Sequence, residues 1–362
     1  MGTYIARRLL LIIPTLIGMT VVTFAVMAFA PGGMRSVIVN RESGLDPRAR
    51  QAIEKFYTKK YGLDKPLTVQ YLVWLNKVSP LGVKDAGVGW PSSRRFGFKS
   101  PDLGESIISH RPVLAMIEES LPVTLLLNVI TIPIMIGVSL WTGLKAAQHR
   151  GGIGDVVGGS VFLGLWSIPQ IWAGVLLVGY LANKNFIHWF PAAGLHDLRD
   201  DEMNFLPTLA DGFHRGWLLD TGWHLVLPVV CLMYAGFAFS SKLTRAATLE
   251  NMAADFVRTA RAKGVGERQV LWRHVLRNSL LPLITYTATI VPGLISGAII
   301  VESIFGIPGM GKLGVDAVFD KDPEMVLSTT LVASILGLIS YLGADIAYAM
   351  ADPRVSFESE AT

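Results

Sequence analysis

The sequence predicts an all-α, polytopic membrane protein with six transmembrane helices, and two observations carry that expectation. Of its 362 residues, 51% are hydrophobic and only 17% charged, against roughly 25% charged in ordinary soluble chains. The apolar residues also gather into six windows, 9–30, 121–144, 156–181, 223–241, 280–304 and 326–350. Each is close to the roughly 20 residues a helix needs to cross hydrocarbon.

The first window follows Arg7-Arg8 and ends at Ala28-Phe29-Ala30, in the manner of a secretory leader. A leader's apolar core runs about 7–15 residues, and this stretch is longer, so it reads as a retained helix. Segment 31–119 comes next. In it Asp46-Pro47 supplies an N-cap and a first-turn proline, and Ile53, Phe56 and Tyr57 continue at helical spacing until Gly62. A second short helix is expected through 69–75 after Pro66, and the Gly- and Pro-rich stretch 80–101 reads as irregular surface loop. Pro14, Pro133, Pro169, Pro228 and Pro292 fall inside five different windows. Proline is tolerated there when neighbours satisfy the freed carbonyl, so the expectation is a bundle of kinked helices. Trp141, Trp189, Trp217 and Trp223 flank the windows as interface anchors.

Orientation follows Lys and Arg, which are enriched in cytoplasmic loops near span ends. Loop 242–279 carries Lys242, Arg245, Arg258, Arg261, Lys263, Arg268, Arg273 and Arg277 against three acids, which places it in the cytoplasm. Loop 182–222 is acidic on balance and faces outward. Both termini are then cytoplasmic. The basic segment 31–119 is outside, long enough to escape the charge rule. The chain divides into an N-terminal helix (1–30), an extracytoplasmic segment with short helices (31–119) and a five-helix core (120–355).

Several chemistries find no support. The net charge of +4 comes without a nucleic-acid-reading motif or interleaved aromatics, so no nucleic acid is expected. The seven histidines lack metal-ligand spacing, and no G-x-S-x-G elbow is present. The single cysteine, Cys231, excludes an intrachain disulfide and reads as an apolar filler. The stretch Gly306 to Leu313, GIPGMGKL, is one residue from a phosphate-binding P-loop. Leu313 lacks the hydroxyl that holds Mg²⁺, and the loop falls on the outer face, so it reads as a tight turn capping helices, with Lys312 solvated or near lipid headgroups. No catalytic residue, metal or cofactor is expected. Glu302 and Asp345 sit at span margins. An intramembrane acid is either a hydrogen-bonded structural residue or a pathway or gate residue, and both readings stay open.

The most informative segment is Arg258-Thr259-Ala260-Arg261-Ala262-Lys263-Gly264-Val265-Gly266. Helix formers lead to two glycines, and a second helix with Val270, Leu271, Val275 and Leu276 continues into the fifth window. On physics alone this is a basic loop on anionic lipid or a short helix shaped for a partner's groove. The segment closely resembles the cytoplasmic "EAA" loop of permease subunits of ATP-binding-cassette importers, in the dipeptide/oligopeptide branch, with Ala260 and Gly264 four residues apart. His274 to Asn278 resembles that branch's H-x-L-R-N. The likeness extends through Arg7 to Leu16, Tyr61 to Leu67, Asp102 to Ser106, Glu302 with Pro308 to Gly311, and Asp352-Pro353-Arg354. The insert 76–99 is longer than the branch leads one to expect.

The resemblance implies the type I ABC importer permease fold and an inner-membrane subunit that passes peptides or similar solutes. It implies pairing with a second permease, two cytoplasmic ATPases that bind ATP and Mg²⁺, and an extracytoplasmic substrate-binding protein, with membrane lipid around the spans. Arg258, Ala260, Arg261, Ala262, Lys263 and Gly264 would belong to the coupling helix seated on an ATPase, within 251–266. The rival class is an ion-coupled secondary transporter, which usually shows inverted repeats and midplane ionisable residues; neither is found here.

Overall fold

A computed structural model describes residues 2–29, 48, 55, 58, 62, 64–83, 96–197, 204–208, 215–295 and 297–351. In chain order its helices are α1 (Gly2–Phe29), α2 (Leu67–Val78), α3 (Val113–Gln148), α4 (Ile153–Ser167), α5 (Gln170–Leu177), α6 (Gly216–Ala253), α7 (Asp255–Ala262), α8 (Leu276–Ile295), α9 (Ile299–Ile304), α10 (Met310–Phe319) and α11 (Pro323–Ala351). The all-α class holds. Helix α2 forms after Pro66 as expected, whereas the helix expected over 46–61 and the motif Asp352-Pro353-Arg354 lie outside the described residues, isolated positions aside.

Six uninterrupted spans are not what the described residues form. Four helices, α1, α3, α6 and α11, are long and apolar enough to cross a membrane, and α4 with the helix after it makes a fifth only as a broken pair bent by 97°. The break lies at Ile168-Pro169. A residue before proline is driven out of the helical region, and Ile168 is extended at φ −80°, ψ 123°. The Tyr234 hydroxyl of α6 donates to its carbonyl at 2.6 Å, and the Gln170 amide donates to the Cys231 carbonyl at 3.2 Å. The corner is thereby fastened to α6, and the freed polar group is satisfied within protein. The window 280–304 is divided as well. Helix α8 ends three residues past Pro292, and Gly297 at φ +118° redirects the chain before α9. A Cβ at Gly297 would lie 2.4 Å from the Gly311 nitrogen, so this close backbone approach admits only glycine.

The described residues form two compact units, one drawn from 120–312 and 336–351, the other from 2–119 and 313–335. In the second, Phe24 of α1 meets Tyr71 and Trp74 of α2 at ring distances of 5.5 and 6.3 Å. Helix α11 starts with Asp322 as N-cap and Pro323 in the first turn. Asp322 accepts from the Met325 amide at 3.2 Å, and its second oxygen accepts from the Ser106 hydroxyl at 2.7 Å and the Ile107 amide at 2.9 Å. Lys77 reaches Glu324 at 3.2 Å. The stretch 80–101 corrects the expectation of a wholly irregular loop. Leu81–Val83 (β1) pairs antiparallel with Phe96–Phe98 (β2), Leu81 facing Phe98. The Asn76 side chain donates to the Val83 carbonyl and accepts from its amide, which fixes one end of this short pair.

In the first unit the main core cluster joins Leu127 of α3, Leu225, Leu227, Val229 and Cys231 of α6, and Val301, Phe305 and Ile307 at and after α9. Cys231 is a buried member of this cluster, as its reading as a filler anticipates. A second, smaller cluster lies beneath α7.

Candidate functional site

Helix α7 is shorter than the expected 251–266. Helix α6 runs on to Ala253, Ala254 is extended at φ −70°, ψ 150°, and α7 covers only Asp255–Ala262. Its end is fixed by glycine. Gly264 adopts φ +79°, its amide donates to the Arg261 carbonyl at 2.9 Å, and the Val265 amide donates to the Ala260 carbonyl at 3.2 Å. This pair of bonds is the Schellman stop, which needs a left-handed residue after the helix. Gly266 differs from the expectation of a second like hinge. It sits at φ −63°, ψ 145°, and caps the next helical turn.

One face of α7 is seated in apolar packing. Val257 and Ala260, three apart, are buried against Leu144 of α3 and against Val270, Leu271 and Val275, with Val265 beside them. Residues 270–275 form a π-helical turn that leads into α8, so α7 rests on the root of the helix that follows it. The spacing of Ala260 and Gly264 has a local cause. Ala260 packs at the turn that Gly264 closes, where a larger side chain would lift the helix from its seat.

The other face is open. Phe256, Arg258, Thr259, Arg261, Ala262 and Lys263 are exposed. Five of the six residues singled out in sequence therefore lie on the outer surface or at its C-terminal turn, and Ala260 faces inward. Asp255 stands in the first turn and Arg261 in the last, both favourable for the helix dipole. Arg261 holds Glu267 through two bonds at 2.8 and 3.1 Å, and Arg258 reaches Asp255 at 3.5 Å. Pairs this exposed contribute about 0–1 kcal/mol each. They orient the guanidinium groups more than they stabilise the fold.

Glu302 lies in a very different setting. It is fully buried. One carboxylate oxygen accepts from the Thr124 hydroxyl and the Ala298 amide, each at 3.0 Å, and the other accepts from the Lys312 amide at 2.9 Å. The Met310 amide donates to the Thr124 oxygen at 2.8 Å. A Cβ at Gly309 would lie 2.4 Å from the Glu302 carboxyl carbon, and one at Gly311 would lie 3.0 Å from its oxygen. The P-loop likeness thus has a physical content: Gly309 and Gly311 let the turn close on an acidic side chain, and that side chain is the chain's own Glu302. The tight turn forms, with Ile307 and Met310 buried, and the expectation that Lys312 is solvated is corrected, since it is half-buried. Of the two open readings for Glu302, its geometry is that of a hydrogen-bonded structural residue. Asp345 is half-buried on α11.

Two further polar sites had no counterpart in the sequence reading. Thr124 is one of four hydroxyl residues in window 121–144, with Thr131, Ser139 and Thr142, and nothing in the sequence sets it apart. Asp155 is buried in the first turn of α4, where Arg245 of α6 binds both oxygens at 2.5 and 2.7 Å and the Gly151 amide adds a bond at 2.9 Å. An acid at a window's edge with an arginine across the same interface was the available signal. Among the described residues no group of three or more His, Cys, Asp or Glu is placed to hold a metal ion.

Comparisons with known proteins cover the whole chain. Residues 135–357 match the family described as binding-protein-dependent transport system inner membrane component, and residues 1–128 match its N-terminal companion. The chain is 34% identical over 359 residues to the oligopeptide transport system permease protein AppB of Bacillus subtilis, covering 99% of this chain and 100% of that one. It is 32% identical over 361 residues to the di/tripeptide transport system permease protein DppB of Pseudomonas aeruginosa, covering 98% and 99%. It is 30% identical over 389 residues to the peptidoglycan transport system permease protein YejB of Agrobacterium fabrum, covering 99% of each.

Proposed function

From a chain that belongs to the binding-protein-dependent inner-membrane transport family, and so is a multi-pass ABC importer permease and not an ion-coupled carrier, we propose a peptide importer subunit with α7 as its coupling helix. The substrate class is peptides or similar small solutes, in keeping with the transport named for AppB and DppB. The partners are a second, similar permease that completes the pathway, two cytoplasmic ATPases, and an extracytoplasmic binding protein. The chain performs no bond chemistry; ATP and Mg²⁺ bind in the ATPases. Both termini and α7 face the cytoplasm, as the Lys and Arg distribution supports.

The observation that carries this reading is the two-faced build of α7. A helix seated by Val257 and Ala260 on the root of α8 can pass a push from below into a membrane helix. Its exposed face carries Phe256 for an apolar pocket, with Arg258, Arg261 and Lys263 around it as steering charge. Closure of the ATPases then moves α7 as a lever, and the bundle rocks between inward-open and outward-open states.

The test is to assemble the full complex with Gly264→Val or Ala262→Pro. Substrate-stimulated ATPase activity and uptake are expected to fall together while the subunit still inserts. Uptake at the unmodified level in both variants would overturn the coupling assignment.

A further inference from the structure

The end of the bundle that carries α7 also holds a groove outside the face of α7 described above. It has a volume of about 520 Å³ and lies between the end of α3, the start of α4 and the middle of α6. Its position is fixed by Leu144, which packs beneath α7 and precedes Lys145 of the groove wall. Three cations line it, Lys145, Lys242 and Arg245, and the acid among its walls is Asp155. Arg245 is spent on Asp155 in the two-bond pair described above, so the two lysines leave an excess of positive charge. Both are exposed. The Lys145 ammonium lies 4.2 Å from the ring centre of Trp141, an arrangement that holds a cation at an aromatic surface.

The rest of the groove is mostly apolar, with Trp141, Ala146, Ile153 and Phe162 beside the polar Thr142, His149 and Ser241. Gly158 and Gly159 of α4 leave its floor bare, since a Cβ at either would meet nothing within 4 Å. Phe162 continues the wall along α4, and outside the groove lining Val156, Val157 and Val161 of the same helix are more than half exposed. A groove that is cationic at the water-facing end and smooth and apolar along the span matches the two parts of a phospholipid, an anionic headgroup and an acyl chain.

We propose that this groove binds one anionic phospholipid of the inner leaflet, its phosphate between Lys145 and Lys242 and its chain along Gly158, Gly159 and Phe162. The proposal rests on the cytoplasmic placement of α7. The occupant is a lipid rather than a protein helix because two exposed lysines stand at one end of a largely apolar groove, which complements an anionic headgroup and an acyl chain.

The experiment uses the assembled importer in nanodiscs, titrated with phosphatidylglycerol or phosphatidylcholine and read by lipid retention in native mass spectrometry. The unmodified complex should retain phosphatidylglycerol in preference, and Lys145→Gln with Lys242→Gln should lower that retention roughly tenfold or more. Removal of two cations from the same end outside the groove, Arg268→Gln with Arg273→Gln, should leave it within about twofold. Gly158→Leu, which fills the floor without a backbone penalty, should lower retention with the complex intact. Equal retention of both lipids, equal loss in the two charge variants, or displacement by millimolar inorganic phosphate would overturn the proposal. So would a Gly158→Leu variant that separates the two permeases while keeping its lipid, since the groove would then be a protein interface. If the cytoplasmic placement itself is wrong, an impermeant thiol reagent would label a cysteine at Arg268 from outside intact spheroplasts. That result is distinct from any retention outcome.

Discussion

Two glycine-bearing turns of the same unit, 262–266 and 306–312, use the residue for opposite ends. At the first, Gly264 stops α7 and nothing lies within 4 Å of where its side chain would be. At the second, Gly309 and Gly311 press against Glu302 and leave no room for a methyl group. The open turn leaves the outer face of its helix exposed, whereas the closed turn stores its polar groups within the chain. Glycine spacing alone does not separate these uses; what the missing side chain would touch does.

The comparison breaks most visibly at the closed turn. Gly309→Val must displace the buried carboxylate and with it the bonds from Thr124, Ala298 and Lys312. Each group left unpaired costs about 1–3 kcal/mol, so the variant should fail to accumulate as a detergent-stable subunit in size-exclusion chromatography. Ala262→Pro comes next. Ala262 is the last residue of α7, where proline still removes an amide donor and crowds the preceding turn, at a cost below the helix-interior value of about 3 kcal/mol. The variant should leave insertion intact while uptake by reconstituted vesicles disappears. Gly264→Val is smaller again. Its open surroundings limit the penalty to the left-handed backbone, about 1–2 kcal/mol, and Gly264→Asn should recover most of the transport because asparagine tolerates that region. Arg261→Gln is smallest, a weakening of ATPase docking within about 1 kcal/mol, visible as a shallower salt dependence of docking affinity.

The same contrast explains what the sequence made legible. The all-α class, α2 after Pro66 and the Gly264 stop could be read because each rests on local chemistry, namely apolar run length, a proline start and a left-handed cap. The division of window 280–304 and the sharp corner at Ile168-Pro169 could not. Both depend on groups far along the chain, Gly311 against Gly297 and Tyr234 against Ile168. The inward direction of Ala260 was hidden for the same reason, since its seat is built by Leu144 and Val270. Glu302 was found as an unusual acid, but its partner Thr124, 178 residues away, gave no signal.

The central claim is that the outer face of α7 docks an ATPase while its inner face does not. Single cysteines at Arg258, at Ala262 and, as reference, at Arg273 of the neighbouring π-helical turn, each in a Cys231→Ala background, can be labelled in the purified permease pair with and without the ATPases. The account predicts that adding the ATPases slows labelling at Arg258 and Ala262 by tenfold or so and that ATP hydrolysis changes that protection. Labelling at both positions that is indifferent to the ATPases would contradict it.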